Sequence, residues 1–542
     1  MSPRCPSGLS WLRAGWPALL LCLLLQACAS LPPHAESTPT RAIADYTDTP
    51  LWKMSSAQLA DDGRSGFLLQ PYGPNSFATR LALCRLATRS LDVQYYLLAN
   101  DNTGRALLRA LRDAAARGVR VRVLVDDLYT QGEDELLLAL ASHPGVEVRL
   151  FNPFPGGRTS NLARFVTSGL ELGRINRRMH NKLFVADNAA AMAGGRNMAD
   201  EYVMNAEGSN FIDMDTFVAG PAVRDLSAAF DLYWNSVHVY PIAQLVSSTR
   251  SAEALRAQFE HDTAHAHPPE VLERLDAGVH APGSPVVLSP DMVHMLNLPH
   301  ELEARQLGPL LRARARVLVD PLSKTEGENE EEDSIKGTVF EATYRWFLSA
   351  RQQLKMVSPY FVPNEHAVEA LAQARREGLD IRLVTNSLAA TDEPWVHVGY
   401  ARYRRELLKI GVDIHELSPS LSAKRRRLGL LGKSAGALHM KNSILDHREV
   451  FLGSMNLDQR STKLNTELGL IIESPEMAQQ LEAMVDNASS YHLRLGPDGE
   501  QIEWVEEDGD GAETVFHEEP ETSAWLRFKL WLLSPFIPER QL

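Results

Sequence analysis

The chain has 542 residues, 44% of them hydrophobic and 23% charged, the composition of a globular protein too long for one hydrophobic core. Its 55 Lys and Arg against 69 Asp and Glu leave a formal charge of −14. That balance argues against a nucleic-acid partner and requires any anionic substrate to be met by locally gathered positive charge.

At the N-terminus, Arg4 and Arg13 precede an apolar run from Trp16 to Leu25 that ends in Leu25-Gln26-Ala27-Cys28. This pattern predicts a secretory leader over residues 1–27 with a lipoprotein-type cleavage site and acylation of Cys28, since the run is too short to span a bilayer comfortably. Ala29-Ser30 is similar to signals directed to the outer membrane of Gram-negative bacteria, so the expected location is an exported, membrane-anchored protein facing the periplasm. Cys5 and Cys22 leave with such a leader, and Cys84 then has no disulfide partner. Residues 28–55, rich in Pro, Thr, Ser and Ala, read as a tether.

Residues 56–243 show an alternating helix and strand pattern. Phe77, Leu81 and Cys84 follow helical spacing, Leu91, Val93 and Tyr95 alternate, Ala106 to Arg117 is a helix closed by Gly118, and Val119 to Val125 alternates again. His180-x-Lys182-x-x-x-x-Asp187 then enters an apolar run, a polar Asp187-Asn188 turn and a second run, followed by Gly194-Gly195-Arg196-Asn197. Residues 244–306 read as a mainly helical connector, in which His261, His265 and His267 lack metal-ligand spacing and are expected in a solvated loop.

Residues 307–495 repeat the first pattern. Ser358-Pro359-Tyr360-Phe361 echoes Tyr95-Tyr96, and Arg376 to Thr385 echoes Arg117 to Asp126. His439-x-Lys441-x-x-x-x-Asp446, followed by Gly453-Ser454-Met455-Asn456, echoes the earlier block at the same internal offsets. Aligning Gly220-Pro221 with Ser474-Pro475 sets Asp213 opposite Glu467. Glu326 to Asp333 reads as a solvated acidic loop, and Lys424 to Arg427 either as a solvated run or as a basic lip for anionic head groups. In residues 496–542, Asp498 to Glu521 reads as a loose acidic tail. The amphipathic stretch from Trp525 to Ile537 fits either an interfacial membrane helix or a segment docked on the protein's own body.

A lone histidine on an apolar strand is ordinarily a core or surface residue; a duplicated block with matching flanks is not. On a strand, residues at i and i+2 share a face, so each block aims an imidazole and an ammonium at one point. The small pairs Gly194-Gly195 and Gly453-Ser454 admit a bound group close to the backbone, and Asn197 and Asn456 add amide donors. Together these groups describe a phosphate site. Lysine is not a usual metal ligand, so no metal and no cofactor is expected.

The twin blocks resemble the paired motifs of the phospholipase D superfamily, and the resemblance covers roughly Gln58 to Ser490. Thr385 to Asp392 and Val396 to Tyr400 are similar to the bacterial cardiolipin synthase branch. The resemblance implies an α/β fold: two similar phospholipase D-like α/β sandwich domains, each a mixed sheet flanked by helices, packed around one shared active site. It implies phosphatidyl transfer to phosphatidylglycerol through a phosphohistidine, with phospholipid substrates at a membrane surface, or the alternative of water as acceptor in a phospholipase D, phosphodiesterase or nuclease. A catalytically silent membrane-binding lipoprotein is opposed by the two complete motifs. Superfamily habit makes His180 the nucleophile and His439 the general acid, with Lys182 and Lys441 neutralising phosphoryl oxygens. Asp213 and Glu467 would accept the far ring N–H of each histidine. Asp187 and Asp446 complete the catalytic signatures and are expected to brace the hairpin turns.

Overall fold

The computed structural model describes residues 31–34, 39–158, 160–169, 171–267, 289–326, 335–419, 435–486, 490–507 and 511–536. The leader with Cys28, most of the acidic run at 327–334, and the basic stretch Lys424 to Arg427 lie outside these residues.

The first half contributes β1 (Ser65–Gln70), β2 (Ser90–Tyr95), β3 (Arg120–Asp126), β4 (Val146–Phe151), β5 (Leu183–Ala186), β6 (Ala190–Gly194), β7 (Ser209–Ile212), β8 (Asp215–Ala219) and β9 (Val239–Pro241). The second contributes β10 (Leu311–Val319), β11 (Gln353–Val357), β12 (Asp380–Asn386), β13 (Asp413–Leu417), β14 (Ala435–Leu438), β15 (Asn442–Leu445), β16 (Glu449–Gly453), β17 (Leu468–Glu473), β18 (Ser490–Leu495), β19 (Ile502–Glu507) and β20 (Glu513–Phe516). Pairing runs β9-β4-β3-β2-β5-β6-β8-β1 in one half and β10-β17-β16-β15-β11-β12-β13-β18-β19-β20 in the other. The two series join where β1 meets β10 antiparallel at Ser65 to Phe67. Read outward from that seam, β1-β8-β6-β5-β2-β3-β4-β9 matches β10-β17-β16-β15-β11-β12-β13-β18 strand for strand, with β19 and β20 added to the second series, so the sequence repeat is also a structural repeat.

Within each half, three parallel strands (β2-β3-β4 and β11-β12-β13) are linked through helices. Asn102–Ala116 starts at an Asp101 cap that accepts from the Gly104 N–H, and it ends before Gly118 at φ +93°. Its counterpart Glu365–Arg376 is capped by Asn364 and ends before Gly378, also at φ +93°. β2 is buried along its whole length, between β3 and β5 in the sheet and with the helix Pro221–Trp234 packed against it. One continuous apolar cluster crosses the seam, joining Leu68, Val93 and Phe217 to Ile444, Leu452 and Leu470.

Two segments differ from their sequence reading. The C-terminal half of the expected tether is anchored: Thr40 accepts from the Trp234 indole at 2.8 Å and from Arg122, Ala42 N–H bonds Asp231, and Pro50–Gln58 forms a helix. The acidic tail is not loose at 502–507 and 513–516, where β19 and β20 extend the sheet. There Trp504 is buried and donates to Glu416, while Glu503 and Glu513 pair with Arg494 and Glu519 pairs with Arg404. Composition counted the acids, but not their partners: Arg494 on the adjacent strand β18, and Arg404 more than a hundred residues before Glu519. His261, His265 and His267 are exposed.

Candidate active site

Each signature block folds as a hairpin with a two-residue turn. Asp187 and Asn188 sit at φ +54° and +50°, Asp446 and His447 at +51° and +57°, the paired left-handed conformation of a type I′ turn. The Asp187 carboxylate accepts the N–H groups of Thr88, Arg89 and Ser90 at 3.0, 2.7 and 3.0 Å. Asp446 accepts those of Arg351, Gln352 and Gln353 at 3.0, 2.7 and 3.0 Å. Both aspartates therefore tie a hairpin to the start of its neighbouring strand, one strand length from the imidazoles.

His180 and Lys182 lie just ahead of β5, and His439 and Lys441 just ahead of β15, in extended lead-ins rather than inside strands. What fixes them is pairing across the two halves. β14 runs parallel to β7, and His439 N–H donates to Ile212 O at 2.8 Å; the Met179–Thr466 bridge repeats this, with His180 N–H donating to Thr466 O at 2.9 Å. The next residue on each partner chain segment is a carboxylate. Glu467 thus accepts from His180 Nδ1 at 2.9 Å, and Asp213 from His439 Nδ1 at 2.6 Å. Each half carries its own histidine and orients the histidine of the other.

The two carboxylates are held differently. Glu467 accepts from Ser454 Oγ at 2.5 Å and Ser461 Oγ at 2.7 Å, and its N–H bonds Asp320. Asp213 accepts its following N–H, that of Met214, at 2.7 Å, and a Cβ at Gly195 would stand 2.2 Å from Asp213 Oδ1. Serine therefore accompanies the longer acid and glycine the shorter one. Ser454 does more than the expected clearing of space.

Lys182 donates to His180 O at 2.8 Å and lies 5.2 Å from the Tyr96 ring, and Lys441 donates to His439 O. Tyr96 packs edge-on against His180 at 4.9 Å, while Tyr202 and Phe211 each pack against His439 at 5.0 Å. Asn197, expected as an amide donor, donates from its NH₂ to Tyr202 OH at 2.9 Å, and that hydroxyl lies 3.4 Å from His439 Nε2. Asn456 is buried with Oδ1 unpaired among the described residues. Tyr202, Ser461 and the Tyr360–Asp392 hydrogen bond of 2.8 Å were not singled out. The Gly195/Ser454 difference beside Asp213/Glu467 was the one available signal for the serine's role.

Burial, helped by the two ammoniums, lowers His180 to about 4 against the pull of Glu467, and holds His439 well below the usual imidazole range. Burial likewise lowers Lys182 to about 7 and Lys441 to about 8. Burial raises Asp213, whereas His180 and Lys182 overcome burial to hold Glu467 below its usual value. His180 is consequently a neutral imidazole whose Nδ1–H is committed to Glu467 and whose Nε2 lone pair is free. A phosphodiester anion entering beside both ammoniums supplies the missing negative charge and shifts lysines and second imidazole back toward their charged forms.

A family model described as cardiolipin synthase, PLD-like domain, matches residues 81–234 and 345–488. The chain is 36% identical to cardiolipin synthase C of Escherichia coli K12 over 87% of its own length and 95% of that protein's. It is 24% identical to a cardiolipin synthase of Staphylococcus aureus Mu50, over 80% of this chain and 69% of that one. Among solved structures, phosphatidylserine synthase of Haemophilus influenzae Rd KW20 shares the fold with a TM-score of 0.52 at 13% identity, covering 91% of this chain and all of that one.

Proposed function

The chain belongs to the cardiolipin synthase family of phospholipase D-like proteins, and from that premise we propose that it transfers a phosphatidyl group between phospholipids, making cardiolipin from phosphatidylglycerol. The observation that carries this reading is the reciprocal pair His180–Glu467 and His439–Asp213 built across the seam, with a lysine beside each imidazole.

In the proposed reaction His180 Nε2 attacks phosphorus. The P–N bond forms as the P–O bond to the leaving alcohol breaks, and His439 supplies the proton that alkoxide takes up. With phosphatidylglycerol as donor, glycerol leaves. A lipid hydroxyl then gives its proton to His439, and its oxygen displaces His180 from phosphorus. Lys182 and Lys441 balance the charge on the phosphoryl oxygens, while Glu467 and Asp213 fix which ring nitrogen faces the substrate. Asn456 is a candidate amide donor to the same oxygens, and Asn197 acts through Tyr202. The test is product analysis by mass spectrometry with purified protein and phosphatidylglycerol vesicles. Cardiolipin with little phosphatidic acid is expected; phosphatidic acid as the main product with every acceptor tried would replace transfer by hydrolysis.

We further propose that the chain is exported, acylated on Cys28 and held at a periplasm-facing membrane, on the strength of Arg4, Arg13 and the Leu25-Gln26-Ala27-Cys28 junction. No helix among the described residues is long and apolar enough to cross a membrane. A palmitate analogue should label the protein; no label, together with unchanged membrane association of Cys28→Ser, would end this proposal.

A further inference from the structure

The helix Ala524–Leu533 has two faces with different fates. Its inner face is docked: Leu530 is buried with Leu388 and Val398, Leu526 packs on them, and Arg402 donates to Ser534 O at 2.6 Å. Its outer face is a row of aromatic rings in water. Trp525 is 70% exposed, Phe528 49% and Trp531 72%, at i, i+3 and i+6; the rings of Trp525 and Phe528 stack at 5.9 Å, and those of Phe528 and Trp531 lie tilted at 6.1 Å. With Leu532 beside them these side chains expose on the order of 500 Å² of apolar surface, at the 150–250 Å² typical of an aromatic side chain, the size of a typical monomer's largest apolar patch, which is often functional.

The surroundings indicate what covers this face. The only charges on the helix are cationic, Arg527, which is paired with Glu518, and Lys529, which reaches over the partly exposed ring of Trp395 at 5.9 Å. Tryptophan and phenylalanine flanked by basic residues on a segment too short to span is the composition of an interfacial helix. The position also matters. Asn386 is hydrogen-bonded in both directions to Leu438, the neighbour of His439. The same chain then runs through Asp392, whose partner Tyr360 lies at the site and whose charge is felt by His439, to Trp395 and Val398 under the helix. One short stretch therefore connects the catalytic centre to the aromatic face.

We propose that the Trp525, Phe528 and Trp531 face is a bilayer-docking surface that seats the mouth of the shared site on anionic phospholipid. It rests on the reading that the substrates are membrane lipids, but its test does not depend on turnover. The mature chain without residues 1–27, whose Trp11 and Trp16 would otherwise enter the bilayer with the leader, is mixed with vesicles of phosphatidylglycerol brominated on the acyl chains, which quench tryptophan only where it enters the bilayer. Trp525 and Trp531 are the most exposed tryptophans among the described residues. Wild type should be quenched, and W525F/W531F should lose most of the vesicle-dependent quenching while retaining its thermal stability.

The second arm uses W525S/F528S/W531S. Turnover of vesicle phosphatidylglycerol should fall by about tenfold or more, as expected when an interfacial anchor is removed, while cleavage of a soluble nitrophenyl phosphodiester stays unchanged. Equal quenching of wild type and W525F/W531F overturns the proposal. So does a dimer in sedimentation equilibrium that the serine variant dissociates, because the face would then belong to a second copy of the chain. If quenching is as predicted but no cardiolipin forms, the docking surface stands and the transferase reading falls.

Discussion

Replacing Glu467 by Gln tests the arrangement in which each half orients the other's histidine, at nearly constant volume. The carboxylate accepts from His180 Nδ1 at 2.9 Å and from two serine hydroxyls at 2.5 and 2.7 Å. An amide has one acceptor oxygen and one donor group, so at least one of these three bonds is lost or reversed. Losing the charge-assisted bond to the ring costs about 1.5–3 kcal/mol, or about 10- to 150-fold in rate. If the new NH₂ turns toward Nδ1, the ring must carry its hydrogen on Nε2 and the attacking lone pair disappears. Loss of a tautomer-fixing carboxylate of this kind reaches about 10⁴-fold. The expected result is a kcat lower by about 10²- to 10⁴-fold with KM little changed, because both lysines stay in place. The assay is initial-rate cardiolipin formation in phosphatidylglycerol vesicles, with thermal melting to show that the variant is folded. Ser454 and Ser461 can rotate their hydroxyls to serve the amide, so the melting point should move by only a few degrees. A folded Glu467→Gln enzyme with kcat within about threefold of wild type, against the range set by that bond, would refute the role assigned to Glu467.

The depressed lysines give a pH signature: their charge is present below about 7 for Lys182 and about 8 for Lys441 and is lost as pH rises through those values. kcat/KM should therefore already be falling on the alkaline side by about pH 7, because His439, the proton donor, is held below the usual imidazole range and the lysines lose charge above it, and should fall on the acid side as His180 protonates near 4, whereas kcat should hold to higher pH because bound phosphate restores the charged forms. An alkaline limb of kcat/KM that begins only above the ordinary lysine range would contradict this. Asp187→Ala removes the acceptor of three backbone N–H groups and should cost about 2–4 kcal/mol, lowering the melting temperature while kcat of the folded enzyme stays within about twofold to threefold, since no group near phosphorus is lost. Chelation should leave activity intact, because lysines and amides carry the charge balance; full loss on EDTA, restored by a divalent ion, would overturn the roles of Lys182 and Lys441.

The repeat was legible because a doubled block of unlike residue types at fixed offsets has no composition-based explanation, and the Gly-Pro with Ser-Pro alignment placed Asp213 opposite Glu467. The crossing was not legible. Which carboxylate serves which histidine depends on β14 pairing with β7 and Met179 with Thr466, contacts between segments more than two hundred residues apart. Asn197 is a different case: Tyr202, whose hydroxyl takes one of its amide hydrogens, lies only five residues on, but no pattern in the sequence shows that contact. The acidic tail misled because strand propensity in Trp504 and Val505 was outweighed by charge in a local reading, while Arg494 and Arg404 supply the compensation from elsewhere. The C-terminal helix was read as either docked or membrane-facing; its inner face is docked and its outer face is uncovered.

The most direct test of the two-histidine account is phosphoenzyme trapping with a nitrophenyl phosphodiester, whose leaving group needs no proton. His439→Ala should cleave this substrate once and accumulate phosphate on His180 that peptide mapping recovers, while His180→Ala should form no phosphoenzyme. Phosphate on His439 in the His180→Ala protein would reverse the assignment of nucleophile and acid, and near-normal turnover by both single variants would contradict the shared site altogether.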